Sequence, residues 1–317
     1  MSLLEMTPRR RLFVGLAAAA AVLLIGRVSA LVYSDVSWFR ALGASALWRE
    51  RARDIAVIHL TSAVFAGLFA LLNLSTIRRS IVSLAFPRRL GNVEFGEAVP
   101  QRHLDRVALL LALLVAGVMA LGVPPWEELA MVRAGTRFGE TDPFFQMDLS
   151  FYTGWVPLET SVYEWALMLL VVVSSVVISL YALTPSLRWH RGAFHVSVHV
   201  RRHLAVLASL FLLVMAWSYR IDGYHLLIEG SGPDGRFSYV DHQWLIPAYL
   251  SLSVGTVAAA ALVLISGWTG QVRTSFFTVS AVLIFSVALD LILPSVVRRL
   301  GASGAAEQEA PYEATRA

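Results

Sequence analysis

Three histidines, His195, His199 and His203, recur every four residues, a spacing that lines imidazoles along one helix face. Neutral imidazole binds zinc, haem iron and related centres, so metal or cofactor chemistry is the first to weigh. The neighbours oppose it. Arg188, Arg191, Arg201 and Arg202 flank the run and would repel a cation. The outer two imidazoles are also about 12 Å apart along a straight helix, too far to share one ion. Cysteine is absent, and no nearby carboxylate completes a ligand set. His59 supplies another imidazole, and with His203 it could bracket a haem or a chlorophyll-type pigment. On the topology argued below the two lie toward opposite ends of their helices and would not meet. The cofactor is therefore unassigned, with His59 and His203 as candidate haem or pigment ligands and His195 and His199 as candidate metal ligands.

Two other groups could do chemistry. Asp290 is an acid well inside an apolar run, with Pro294 a turn later. Ionisable residues at membrane depth are costly and mark ion or proton paths. Arg27 stands near the end of another apolar run, as an interfacial anchor or a partner for Asp290. Asp142, Asp148, Asp222 and Asp241 stand among aromatics and prolines. Such carboxylates could hold Ca²⁺ or an amine. They also suit turns and caps, since Thr141-Asp142-Pro143 is a natural turn start and Asp148 to Ser150 a cap. The structural role is the preferred reading. Phosphate-binding glycine loops, HExxH and GxSxG are all absent, so the expected function is not enzymatic.

The elements that must position these groups are membrane helices. Of 317 residues, 57% are hydrophobic and only 15% charged, whereas a soluble domain carries about 25% charged residues. Too little polar surface remains for a water-soluble globule, and lipid is the expected solvent. Seven continuous apolar runs, near 12–32, 55–74, 106–123, 162–183, 198–219, 248–268 and 275–293, approach the length of a bilayer-spanning helix. The first run could also be read as a secretory signal, with Arg9, Arg10 and Arg11 before it and Val28-Ser29-Ala30 as a cleavage site, but it is long for one. The fold class is therefore an all-α integral membrane bundle. Arginine-rich loops (Arg78, Arg79, Arg88, Arg89, Arg102; Arg188, Arg191, Arg201, Arg202) and acidic ones (124–161 and 220–247) alternate, which predicts a cytoplasmic N-terminus and an outside C-terminus. The first loop opposes this: its Arg40, Arg49, Arg51 and Arg53 would lie outside, partly offset by Asp35, Glu50 and Asp54. The two acidic loops form an outer cap. A segment after the first helix, with Trp38, Phe39 and Trp48, reads as an interfacial helix. The stretch 300–317 reads as a flexible tail. Small residues at four-residue spacing (Ser62, Ala66, Ala70; Ala112, Ala116, Ala120) permit close helix packing. The net charge of +4 is spread over several loops and suits anionic lipid headgroups, not nucleic acid.

The segment from Phe138 to Tyr152 reads FGETDPFFQMDLSFY, with Asp142, Pro143, Phe145, Asp148, Ser150, Phe151 and Tyr152 at its defining positions. It resembles the FGxTDPxFxxDxSFY signature of a bacterial membrane family known as uncharacterised protein family 0182. Tyr33-Ser34-Asp35 with Trp38-Phe39, Arg201-Arg202-His203-Leu204, the run from Tyr219 to Leu227 containing Asp222 and Tyr224, and Ser238-Tyr239-Val240-Asp241-His242 are similar to other stretches of that family. The resemblance implies seven helices in the bacterial cytoplasmic (inner) membrane, followed by a large extracytoplasmic domain. The run from Glu309 to Ala317 resembles a compressed form of the segment that opens that domain, as in a short relative or a truncated product. No activity comes with the resemblance. The expected function is a non-enzymatic membrane subunit or scaffold that packs against other membrane proteins or itself. The alternatives are a transporter or channel using Asp290, and a haem- or pigment-binding membrane protein.

Overall fold

In the computed structural model, the helix α1 (Pro8–Ala41) ends at a glycine turn. The amides of Leu42, Gly43 and Ala44 turn back onto the carbonyls of Trp38, Arg40 and Phe39, and Gly43 takes φ 69°. Glycine enters that left-handed region without the clash a Cβ would bring. The helix α2 (Ser45–Val82) begins directly after. The expected loop with an interfacial helix is thus replaced by two long helices meeting at a tight turn. No Gly or Pro interrupts residues 33–41, so nothing ends α1 sooner. Arg51 pairs with Asp35 at 3.2 Å and lies 5.9 Å from the Phe39 ring centre, joining the two helices across the turn.

The structure describes residues 8–82, 89–90, 93–94, 101–182, 187–190, 193–231, 235–300 and 305–316. It divides into two units, Met1–Val57 and Ile58–Ala317. After α2 the second unit runs through an antiparallel hairpin, β1 (Arg89–Leu90) and β2 (Val93–Glu94), to α3 (Gln101–Leu121) and α4 (Trp126–Ala134). A π-helical turn (Phe151–Trp155) leads into α5 (Val156–Ala182), and a second hairpin follows, β3 (Leu187–His190) with β4 (Ala193–Val196). Then come α6 (Val198–Glu229), another π turn (Asp241–Leu245), α7 (Ile246–Thr269), α8 (Val272–Leu291), α9 (Leu293–Leu300) and α10 (Ala305–Arg316).

Among the described residues, seven helices are long and apolar enough to cross a membrane: Leu12–Ala41, Ser45–Ile77, Arg102–Leu121, Phe151–Ala182, Val198–Glu229, Asp241–Thr269 and Val272–Leu289. The number equals that of the apolar runs, but most helices outrun their apolar stretch. Hydropathy marks the apolar part of a helix and is blind to a polar helical extension.

Both π turns precede a proline, Pro157 and Pro247. A proline ring collides with the carbonyl four residues back in an α-helix. The wider turn accommodates it: Val156 N–H reaches Phe151 O, and Ile246 N–H reaches Asp241 O. A proline can therefore enter α5 and α7 near their starts without breaking them.

Two apolar cores lie side by side along α6. One joins Ala66, Ala70 and Leu74 of α2, Ala112 and Met119 of α3, Leu169, Val173 and Val177 of α5, and Leu207 of α6. The other joins Leu212 and Tyr219 of α6 to Ala259, Ala260 and Val263 of α7 and Val282 of α8. Small residues set the closest approaches. Gly67 lies against Ala116, and a Cβ on Gly267 would overlap that of Ala205. Hydroxyl groups bridge the helices where they touch: Ser209 Oγ donates to Ala260 O at 2.9 Å and Ser253 Oγ to Ala216 O at 2.7 Å.

Two sequence expectations change here. Within the stretch read as a flexible tail, residues 305–316 form the helix α10, and its Tyr312 is 9% exposed. The face carrying His195, His199 and His203 does not form, because β4 holds His195 while Ser197 caps the start of α6. His199 and His203 share α6, and His195 lies outside it.

Candidate functional site at the motif loops

The signature segment closes into a small knot around two carboxylates. Asp142 Oδ1 accepts the amides of Phe144 (2.9 Å) and Phe145 (2.6 Å), while Oδ2 accepts the Met147 amide and the Tyr152 hydroxyl, both at 2.8 Å. Asp148 Oδ1 takes the amides of Ser150 (2.8 Å) and Phe138 (3.2 Å), and Oδ2 that of Gly139 (3.0 Å). Asp148 thus caps the helical turn that leads into α5 and ties the two ends of the loop together. A bridge between Thr141 and Asp148 closes the ring. Gln146 takes φ 57°, the one non-glycine in that region among the described residues, and its side-chain amide donates to Pro143 O at 3.0 Å.

These contacts decide the charge states. Burial works against ionised Asp142, but the amides of Phe145, Met147 and Phe144 and the Tyr152 hydroxyl outweigh it and hold the carboxyl below its usual range. Asp148 is held down to about 2, chiefly by the hydroxyl and amide of Ser150. Both groups are anionic near neutrality, and their oxygens already serve the loop that carries them.

The second loop is built alike. Ser238 and Asp241 form a reciprocal cap: Ser238 N–H donates to Asp241 Oδ2 at 2.8 Å, and Asp241 N–H to Ser238 Oγ at 3.4 Å. Asp241 also accepts from the amide and hydroxyl of Ser231, so it is fully buried yet fully used. Rings from the two loops meet above. Phe144 lies 4.6 Å from Phe237 and 5.0 Å from His242, centre to centre. Tyr224 of α6 meets Phe145 at 5.2 Å and Phe151 at 5.1 Å, edge to face. The Tyr312 ring of α10 stacks on Phe144 at 5.9 Å, and its hydroxyl lies 2.9 Å from His242 Nδ1. Tyr239 N–H donates to Glu309 Oε2 at 3.0 Å.

Beneath the loops a polar layer joins α4, α5 and α6. Glu159 pairs with Arg220 and accepts the Trp217 indole N–H at 2.7 Å. Ser161 donates to Glu128 at 3.0 Å, and Thr160 Oγ1 lies 3.0 Å from His225 Nε2. Ser218 donates to Asp222 at 3.2 Å. Sequence reading missed this layer, because its members belong to three helices and no motif links them.

At the other end of α5 and α6 sits a second, neutral network. Asn73 Nδ2 donates to Phe69 O at 2.8 Å, which leaves Asn73 Oδ1 facing His203 Nε2 at 2.9 Å. That nitrogen therefore carries the proton, and Nδ1 accepts from the Tyr181 hydroxyl at 2.8 Å. Both ring nitrogens are thus hydrogen-bonded within the bundle. His199 Nε2 lies 3.1 Å from Thr76 O. Among the described residues no group of three His, Cys, Asp or Glu could hold a metal ion. The His195 and Asp290 side chains lie outside the described residues. His59 is exposed on α2 and Arg27 on α1.

From Glu159 to Tyr181, α5 rises about 33 Å at ~1.5 Å per residue. Between the two polar layers the buried residues of α5 are apolar (Leu169, Leu170, Val173 and Val177), while α6 buries Leu207 and Leu212 together with Ser209, and α7 buries the hydroxyl of Thr256. A cleft of about 770 Å³ lies between α7, α8 and α9. Its described lining includes Gly255, Ala259, Phe285 and Val296, with only the hydroxyls of Ser251, Thr256 and Thr278 as polar side-chain groups.

The model of the Uncharacterised protein family (UPF0182) matches residues 12–315. The chain belongs to this family. A family member from Desulforamulus reducens is 23% identical over 93% of the chain, but that match covers 34% of the relative. The protein H16_A1615 of Cupriavidus necator is 29% identical over 88% of the chain and 30% of its own length. GSU2333 of Geobacter sulfurreducens is 28% identical over 82% of the chain, again 30% of its own length. The chain thus spans about a third of the family members it matches. No solved structure matches it.

Proposed function

We propose that this chain is a multi-pass, non-enzymatic subunit of the bacterial cytoplasmic membrane that packs against other membrane proteins, with its motif loops on the outer side. The observation that carries the reading is the pair of polar layers with a mainly apolar section between them. Their separation of about 33 Å along α5 is close to the ~30 Å hydrocarbon thickness of a bilayer. Each layer then falls near a headgroup level, where water and lipid tolerate it.

A solute or ion pathway needs polar groups in series through the bundle. Here the ionisable inward-facing groups pair at the two ends, and Leu169, Val173, Val177 and Leu207 fill most of the space between, with the hydroxyls of Ser209 and Thr256 as isolated polar groups rather than a series. Large apolar side chains cover the outside, among them Leu23 (73% exposed), Val254 (72%) and Ile284 (68%), and lipid or partner helices would cover them. The arginine-rich loops on the opposite side favour a cytoplasmic N-terminus.

Gentle detergent extraction, size separation and mass spectrometry of the same fractions test this reading. The expected result is co-migration with a defined larger membrane complex. A species that migrates alone and carries out solute flux in proteoliposomes would overturn it.

A further inference from the structure

The aromatic box on the motif loops is built around a guest from elsewhere in the chain. Phe144 comes from the signature loop and Phe237, Tyr239 and His242 from the second loop, more than ninety residues on. The guest is Tyr312, flanked in α10 by residues that are exposed: Ala310, Pro311 and Glu313. It alone of the four turns inward, to 9% exposure.

Its fit is specific on three sides. The ring lies parallel to Phe144, with an interplanar angle of 5°. Tyr239 and His242 meet it edge-on, at 6.3 Å and 5.9 Å between centres. The hydroxyl reaches His242 Nδ1 at 2.9 Å, a bond that phenylalanine could not make. One turn earlier on the same helix, Glu309 accepts the Tyr239 amide at 3.0 Å. That amide opens the helix leading into α7, where a free N–H and the helix dipole both favour a carboxylate. An aromatic pocket and an anionic subsite therefore read two positions, three residues apart, on one face of a helix.

We propose that Phe144, Phe237, Tyr239 and His242 form a binding site for a helical segment carrying glutamate and, three residues later, tyrosine, and that α10 is its resident ligand. The site straps the chain that follows α8 onto both motif loops. It also explains why the two loops share one surface, since neither holds the tyrosine alone. The inference stands independently of the subunit reading, because it concerns how the loops recognise a peptide, whatever the membrane part does.

The chain lacks cysteine, so the intact protein can be labelled at chosen positions. Spin labels on Glu140→Cys and Glu313→Cys, both exposed sites, report the distance between the signature loop and α10. The expected result is one narrow distribution that broadens severalfold with Tyr312→Ala and less with Tyr312→Phe. A broad distribution in the otherwise unaltered chain overturns the proposal. A second measurement uses the full chain with Glu309→Ala and Tyr312→Ala as host, after its monodispersity is checked. A labelled peptide of residues 305–316 should bind it saturably, and the same peptide with alanine for the tyrosine at least tenfold more weakly. Equal binding of the two peptides, or none by either, also overturns it. Should the double variant fail to fold, Glu309→Ala alone, read by the spin labels, must still broaden the distribution, and an unchanged width would count against the anionic subsite and the proposal.

Discussion

The two ends of the α5–α6 pair solve one problem with different chemistry. At the motif end, charged carboxylates are held by backbone amides: Asp142 takes three, Asp148 three, and Asp241 is boxed in by Ser231 and Ser238. At the other end the buried groups are neutral and satisfy one another in a chain from Tyr181 through His203 to Asn73. The difference follows from who supplies the partners. A loop has amides to spare, and a carboxylate can gather several of them. Inside a helix bundle the amides are already spent on the helices, so a buried acceptor there must be met by a side-chain donor.

That contrast makes the carboxylate end the more fragile to a single substitution. Asp142→Ala strands three amides and the Tyr152 hydroxyl around one buried point. At about 1–3 kcal/mol for each unsatisfied buried group, the loss is expected to exceed about 3 kcal/mol, measured as a drop in unfolding midpoint in detergent. A change below about 1 kcal/mol would mean the loop has another way to close. His203→Ala should rank next. It leaves the Tyr181 hydroxyl and Asn73 Oδ1 unpaired and opens a cavity, for about 2 kcal/mol in the same assay. Tyr181→Phe removes one bond and keeps the shape. Interhelical hydrogen bonds in membranes average about 0.6 kcal/mol, so its effect should be the smallest of the three.

Acid sharpens the comparison further. Asp142 and Asp148 are held below their ordinary pKa in the folded loop, so their contribution is fully present above the usual carboxylate range, near 3.8. It is lost as pH falls through the folded value, about 2 for Asp148. Amide exchange at Phe138, Gly139 and Met147, corrected for its intrinsic pH dependence, should therefore be flat from pH 5 to 8. It should rise below about pH 4. Asp148→Asn should remove the acid-sensitive part at Phe138 and Gly139 while leaving it at Met147. A uniform rise at both sites would assign the effect to the whole loop instead.

What the sequence revealed follows from how local each feature is. Seven helices apolar enough to cross a membrane were legible because about twenty apolar residues in a row suit a bilayer-crossing helix and little else. The turn and cap roles of Asp142 and Asp148 were legible too, since their partners lie within ten residues. The rest depends on distant meetings. His203 finds Asn73 130 positions away, and Trp217 finds Glu159 58 positions away. No spacing rule announces such pairs. The regular interval of His195, His199 and His203 does not reveal that a hairpin ends just before Ser197 and leaves His195 outside α6. The stretch beyond residue 300 looked mobile from its Gly, Ala and Glu content. Two residues, Glu309 and Tyr312, anchor α10 where composition averages them away.

The most direct test of the closed-layer account is cysteine accessibility in sealed membranes, since the chain has no cysteine of its own. Single cysteines at Val173, Val177 and Leu207 probe the apolar section, and one at Glu140 probes the motif loop. The account predicts that a water-soluble, membrane-impermeant thiol reagent added outside labels Glu140→Cys and leaves the other three unmodified under native conditions. Labelling at Val173→Cys, Val177→Cys or Leu207→Cys in folded protein would reveal a water path through the bundle and contradict it.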